Sequence, residues 1–254
     1  MYDKGAVRLR PPKLRPGASG LLYPRSGTNM KADLCFGFSK SKWEELSQKL
    51  AGADENAWGE AIGVFERRMR ERFLSSIEAL FGADTRPDLL PSDSANSGHC
   101  IPGFAIIALC CLLIETLQGF REAAAVAANP AGPCSFPPGP CIKPPSGTNQ
   151  QFIAFLRRPA FGGVFNDDVA RRFVSGIRNG MLHEAETRKW VIWREEPASE
   201  IAAKDEDGYA LNRSLFYQAV KEEFERYLRE LHDPANKELR QRFKGKMDDL
   251  CRAA

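Results

Sequence analysis

Arg171-Arg172-Phe173-Val174-Ser175-Gly176-Ile177-Arg178-Asn179-Gly180-Met181-Leu182-His183-Glu184 is the stretch on which the reading of this chain turns. At about 100° per residue, Val169, Phe173, Val174, Ile177 and Met181 fill one arc of a helical wheel. Arg171, Arg172, Ser175, Arg178, Asn179 and His183 fill the other. The pattern predicts an amphipathic helix over 167–183, with Asn166, Asp167 and Asp168 supplying the N-cap and first-turn acids. Arg178 and His183 lie about 140° apart, at the two edges of the polar arc. Asn179 stands four before His183 and shares its stripe. Gly176 and Gly180 sit at the border of the arcs. Each costs roughly 1 kcal/mol against alanine in a helix interior. The expected compensation is close approach of another helix, within the chain or across a dimer.

Outward from this helix, the most apolar run is Ile101 to Ile114. Pro102 opens a predicted helix over 103–127 that is apolar all round in its first half and so belongs at the centre of the fold. The run is short for a bilayer span and ends at Glu115. A buried carboxylate needs a partner. Glu115 is therefore expected to pack near Arg178 or His183 and orient them; the plainer alternative is that it marks where the helix meets solvent. Ser41 to Glu44 reads as a capping box for a helix over 42–51. Trp58, Ala61, Ile62, Phe65, Met69, Phe73, Ile77 and Leu80 predict a long helix over 56–81, stopped near Gly82. Its opposite face carries Arg67, Arg68, Arg70 and Arg72, either a solvated face or a surface for RNA backbone. Further helices are predicted over 149–157, over 214–232 capped by Ser214, and from Pro234 to 251. Lys189 to Arg194 alternates like a strand, and 208–212 is its expected hairpin partner.

These elements give a mainly α fold: an antiparallel helical bundle with a small β-hairpin insertion and an extra N-terminal helical region. Three parts are expected. Residues 1–32 form a flexible basic tail, 33–100 the N-terminal helical region, and 101–254 the bundle, carrying a Pro-rich loop at 129–148. The tail holds Arg8, Arg10, Lys13, Arg15, Arg25 and Lys31 without hydrophobic periodicity. It is either plain tail or an arm on nucleic acid.

The formal net charge is +3, so contact with nucleic acid requires a local patch. Seven cysteines occur without a C-x-x-C pair, and there are three histidines. That composition fits a reduced, cytoplasmic protein with no zinc site and no cofactor. No apolar stretch of secretory type follows the N-terminus, and no membrane partner is expected.

Cutting RNA without a metal requires a base for the 2′-OH and an acid for the leaving 5′-oxygen. Histidine titrates near neutrality and suits either task. A guanidinium supplies permanent, bidentate donors for the charge that grows on the phosphorus oxygens. One such pair per chain is half a site, which a two-fold dimer completes. An Arg and a His at this spacing are weak evidence alone, since Arg226 and His232 share it. That second pair lacks a polar residue after its Arg and sits in an ordinary amphipathic helix. With Asn179 following the Arg, and a neighbouring apolar helix carrying Glu115, the segment resembles the HEPN superfamily over roughly residues 103–250.

The resemblance implies a homodimeric endoribonuclease leaving a 2′,3′-cyclic phosphate, in phage defence or a toxin-like system, with an antitoxin or defence-system partner. It implies catalytic roles for Arg178 and His183, with Asn179 orienting the cleft; Glu115 is the further supporting residue expected from its place in the apolar helix. Arg171 and Arg172 are the residues expected to bind RNA. In HEPN toxins paired with a nucleotidyltransferase antitoxin, a tyrosine stands two after the His. Here that position is Ala185, which argues against silencing by that route. The alternative function is a non-catalytic HEPN-like module that binds RNA, a nucleotide or a partner. A DNA-binding regulator is the weakest reading, since no helix-turn-helix is evident.

Overall fold

The computed structural model describes residues 33–52, 54–84, 101–123, 148–193, 200–204 and 207–252. The expected basic tail at 1–32, and the Pro-rich segment as far as residue 147, lie outside the described residues. The fold is mainly helical with two small sheets.

The described residues begin with two short strands that the sequence pattern did not reveal. These are β1 (Asp33–Cys35) and β2 (Phe38–Ser39), paired antiparallel around Gly37 at φ 75°. Helix α1 (Lys40–Leu50) follows. Its N-cap is Ser39, not the expected Ser41: the Ser39 hydroxyl accepts from the Lys42 N–H. Ser39 sits where the strand ends, so the chain leaves extended geometry two residues earlier.

The predicted long helix is present as α2 (Glu55–Met69) and α3 (Ser75–Asp84). They are joined by one turn of π-helix at Arg70–Leu74, in which the Ser75 N–H bonds back to the Arg70 carbonyl. Of its basic face, Arg68 is a structural residue, donating at 2.6 Å to the Leu34 carbonyl of β1. Arg70 pairs with Glu66 one turn back.

Helix α4 (Ile101–Arg121) carries the apolar run further than Ile114, so by length and composition it is long enough to cross a membrane. Its place is in the core. Ile106, Ile107, Cys110, Leu113, Ile114, Leu117 and Phe120 are buried against α3, α8 (Arg213–His232) and α9 (Lys237–Arg252). Burial pushes the Cys110 and Cys111 thiols well above their ordinary range. One continuous apolar cluster runs from Leu34 to Met247, drawing on both the 33–84 and the 101–252 regions.

Two corrections concern the C-terminal helices. Asn212, not Ser214, caps α8, accepting from the Ser214 and Leu215 N–H groups at 3.0 Å. An amide oxygen in this position reaches both free N–H groups. Pro234 does not open α9. It sits in a turn whose Asp233 side chain accepts from the Ala235 N–H, and the helix starts at Lys237.

The third correction is to the sheet. Strand β3 (Trp190–Trp193) does pair with β5 (Tyr209–Asn212), but the two run parallel and so do not form the expected hairpin with each other. Strand β4 (Ala202–Lys204) lies antiparallel on the other side of β5, giving the order β3-β5-β4. The alternation identified the partners but carried no strand direction. The intervening β4 turns the chain so that β5 comes back in the direction of β3. Gly208 permits this pairing, because a Cβ there would lie 2.1 Å from the Lys189 carbonyl oxygen. Trp190 stacks on Tyr209 at 4.7 Å and meets Phe173 edge-on at 5.5 Å, which fixes the sheet against the helix described next.

Candidate functional site

After α5 (Thr148–Leu156), which packs on α4, the motif helix begins at α6 (Asp167–Phe173) and ends with α7 (Asn179–Glu184). Asn166 caps it, accepting from the Asp168 and Val169 N–H groups at 3.1 Å. Between the two lies a second π turn, Val174–Arg178, in which the Asn179 N–H bonds back to the Val174 carbonyl. A π turn adds one residue to the helical repeat and so turns everything beyond it by roughly 100°.

This turn breaks the single polar arc expected from the sequence. With regular α geometry, Arg171 and Arg178 would lie nearly one above the other. Instead Arg171, Arg172 and Ser175 face the three-stranded sheet, where they line a cleft of about 740 Å³. Arg178 turns to α4.

Arg178 is half-buried, and its guanidinium is held at two points. Its Nε donates to Glu115 Oε1 at 2.5 Å, and Nη1 donates to Asn179 Oδ1 at 2.8 Å. The expected contact between Glu115 and Arg178 is therefore present. The side chains of Arg178 and Glu115 are 15% and 28% exposed, dry enough for the pair to be geometrically tight while keeping a face open. Cys111 lies one turn before Glu115 on α4. Besides burial, the neighbouring Glu115 charge raises its thiol, and Arg178 partly offsets this.

His183 is exposed, in the last turn before the helix ends. Among the described residues no hydrogen bond holds its ring. The helix closes on Ala185, which adopts a left-handed φ of 55° and donates its N–H to the Gly180 carbonyl. Leu182 beside His183 is 44% exposed, and Leu112 on α4 is 41% exposed. Two large apolar side chains thus stand open on the helices that carry Arg178 and Glu115.

The two helix glycines have a different explanation from the expected neighbouring helix. A Cβ on Gly176 would lie 2.7 Å from Trp190 Cδ1, and one on Gly180 would lie 2.5 Å from the Glu186 carbonyl oxygen. The chain leaving the helix folds straight back along it, and the glycines admit that returning segment.

Besides Ser175 of the polar arc, the sheet-side cleft contains residues that the sequence did not single out as site residues: Arg188, Lys189, Lys204, Asp207 and Tyr209. Their only sequence signal was the strand-like alternation after Lys189. Asp168 bonds Arg172 at 2.8 Å, and this hydrogen bond lowers the Asp168 carboxyl below its usual range. Arg188 pairs likewise with Glu184 at 2.7 Å, with the same effect on Glu184. Among the described residues no cluster of three His, Cys, Asp or Glu side chains gathers as metal ligands would. No family model, curated protein or solved structure matches the chain.

Proposed function

We propose that the chain is a metal-independent endoribonuclease of HEPN type, built on an antiparallel helical bundle and working as a homodimer. The observation that carries this reading is the hydrogen-bonded row Glu115–Arg178–Asn179, which ends beside the exposed His183 on the same helix. Glu115 and Asn179 occupy two of the guanidinium's donor directions and fix its plane. The remaining N–H edge is left for a phosphate oxygen. The His183 ring stands exposed to solvent.

In the proposed reaction the ribose 2′-oxygen loses its proton to a histidine and attacks the adjacent phosphorus. The P–O5′ bond breaks, and the leaving oxygen takes a proton. The products are a 2′,3′-cyclic phosphate and a 5′-hydroxyl. Arg178 holds the negative charge that develops on the non-bridging oxygens. One histidine cannot both take and give a proton in a single step. The second is assigned to the partner copy, with Leu112 and Leu182 at the contact. Arg171 and Arg172 bind the RNA strand. The setting is phage defence or a toxin-like system, with its own antitoxin or defence-system partner.

The test is cleavage of mixed-sequence RNA in the presence of chelator, with product ends identified. The expected result is 2′,3′-cyclic phosphate ends from the wild type, lost by more than a hundredfold in both Arg178→Ala and His183→Ala. Cleavage that survives both substitutions refutes the assignment. Binding of RNA without any cleavage moves the protein to the non-catalytic module.

A further inference from the structure

The cleft between α6 and the three-stranded sheet is lined by five cations (Arg171, Arg172, Arg188, Lys189 and Lys204) against two carboxylates, Asp168 and Asp207. The cations are not equivalent. Arg172 and Arg188 are already tied to Asp168 and Glu184. Arg171, Lys189 and Lys204 have no ion-pair partner among the described residues, and all three are exposed. They come from three separate elements: α6, the start of β3 and the end of β4. They converge only because Gly208 lets β5 close against Lys189 and Gly176 lets the helix close against Trp190. Two close approaches in the tertiary structure thus bring together a set of cations that outnumbers the carboxylates of the described lining. An excess of like charges raises the energy of the free protein and lowers that of an anionic complex.

We infer that this cleft is the subsite for the phosphates of single-stranded RNA flanking the scissile nucleotide, with Arg171, Lys189 and Lys204 as its phosphate ligands. The inference rests on the endoribonuclease reading and deepens it by giving the strand a path. Arg171 and Arg178 lie on one helix about 10 Å apart along its axis. The π turn aims the first at the sheet and the second at α4. A strand lying in the cleft therefore continues past Ser175 to the helix edge where Arg178 and His183 stand. Duplex RNA is too wide and stiff to enter a cleft of about 740 Å³ lined by side chains. Among the described residues the cleft lining has no base-reading cluster of amides, so contact is to the backbone and tolerant of sequence.

The experiment uses the full chain and a fluorescent single-stranded RNA twelve-mer with 2′-O-methyl riboses, which cannot be cut because the attacking oxygen is blocked. Binding is measured by anisotropy across a series of salt concentrations for wild type, Lys189→Ala, Lys204→Ala and the triple variant with Arg171→Ala. For single strands each lost phosphate contact removes about 0.7 from the slope of log affinity against log salt, or roughly fivefold in affinity at 0.1 M salt. The triple variant should lose about 2 units of slope and bind roughly a hundredfold more weakly. Arg229→Ala, an exposed cation on α8, should leave both unchanged. Equal slopes for wild type and triple variant, with helix content intact by circular dichroism, overturn the inference. The two readings fail separately. Normal cleavage of ordinary RNA with cleft-independent binding removes the subsite alone, and cleft-dependent binding without cleavage removes the nuclease alone.

Discussion

Replacing Gly176 by alanine should destabilise the protein, whereas the same replacement at Gly63 should stabilise it. Both glycines are helical, so both gain about 1 kcal/mol in helix propensity from the added methyl. At Gly63 nothing lies within 4 Å of the new Cβ. At Gly176 the methyl would lie 2.7 Å from Trp190 Cδ1 and 2.9 Å from Nε1. Trp190 is 4% exposed and wedged between Phe173 and Tyr209, so its ring has nowhere to go. Overpacking of this kind costs about 1–3 kcal/mol, and the ring's confinement puts the cost at the upper end. The net loss is then about 1–2 kcal/mol. At roughly 2–4 °C per kcal/mol for a chain of this size, Gly176→Ala should lower Tm by roughly 2–8 °C and Gly63→Ala should raise it by about 2–4 °C. Differential scanning calorimetry reads both. Combining Gly176→Ala with Trp190→Phe should recover part of the loss, with a coupling energy of about 1 kcal/mol or more. A Gly176→Ala protein that melts at or above wild type refutes the argument that this glycine exists to admit Trp190.

Three further outcomes are expected. Glu115→Gln keeps the shape of the Arg178 contact but removes its charge; cleavage should fall by about tenfold with Tm changed by less than about 3 °C, measured by single-turnover kinetics and calorimetry. Glu78 accepts hydrogen bonds from Lys221 Nζ and Tyr217 Oη, which hold its carboxyl below the usual range. A lowered folded-state pKa gives stability that is present above the unfolded value and lost as pH falls through the folded one. The Tm difference between wild type and Glu78→Gln should therefore be largest near neutrality and shrink as pH drops below about 4.5. Cys110 and Cys111, fully shielded and with raised thiols, should resist alkylation at pH 8 in the native protein and react on denaturation, as peptide mapping will show.

The helices of this protein are legible in its sequence wherever an apolar stripe persists for several turns, because burial of that stripe is what makes the helix. Glu55 to Asp84 and Arg213 to His232 are examples. Their ends are less legible, since Ser39 and Ser41, or Asn212 and Ser214, are chemically able to serve the same N–H groups. The choice falls to where the preceding strand stops. The β3–β5 pair shows another limit: alternation states which residues face the core but not which way the strand runs. At the candidate site, the contact of Glu115 with Arg178 was readable because a carboxylate in an apolar helix demands a partner. The cleft was not, because Arg171, Lys189 and Lys204 are spread along the sequence and meet only through the two glycine approaches.

The π turn at Val174–Arg178 makes the bearing of Arg178 a matter of counting rather than of chemistry. Deleting Ser175 from that turn restores the α repeat and swings Arg178 by about 100° toward the sheet, off Glu115, with every other side chain kept. No substitution of Arg178 itself would reproduce that outcome. The interval from Arg178 to His183 is untouched by such a deletion, so a search for an arginine and a histidine at fixed spacing would still accept the damaged chain. The distance that records the working geometry is the one from Arg171 to Arg178. Deleting one codon there would separate the path proposed for the strand from the place where it is proposed to be cut.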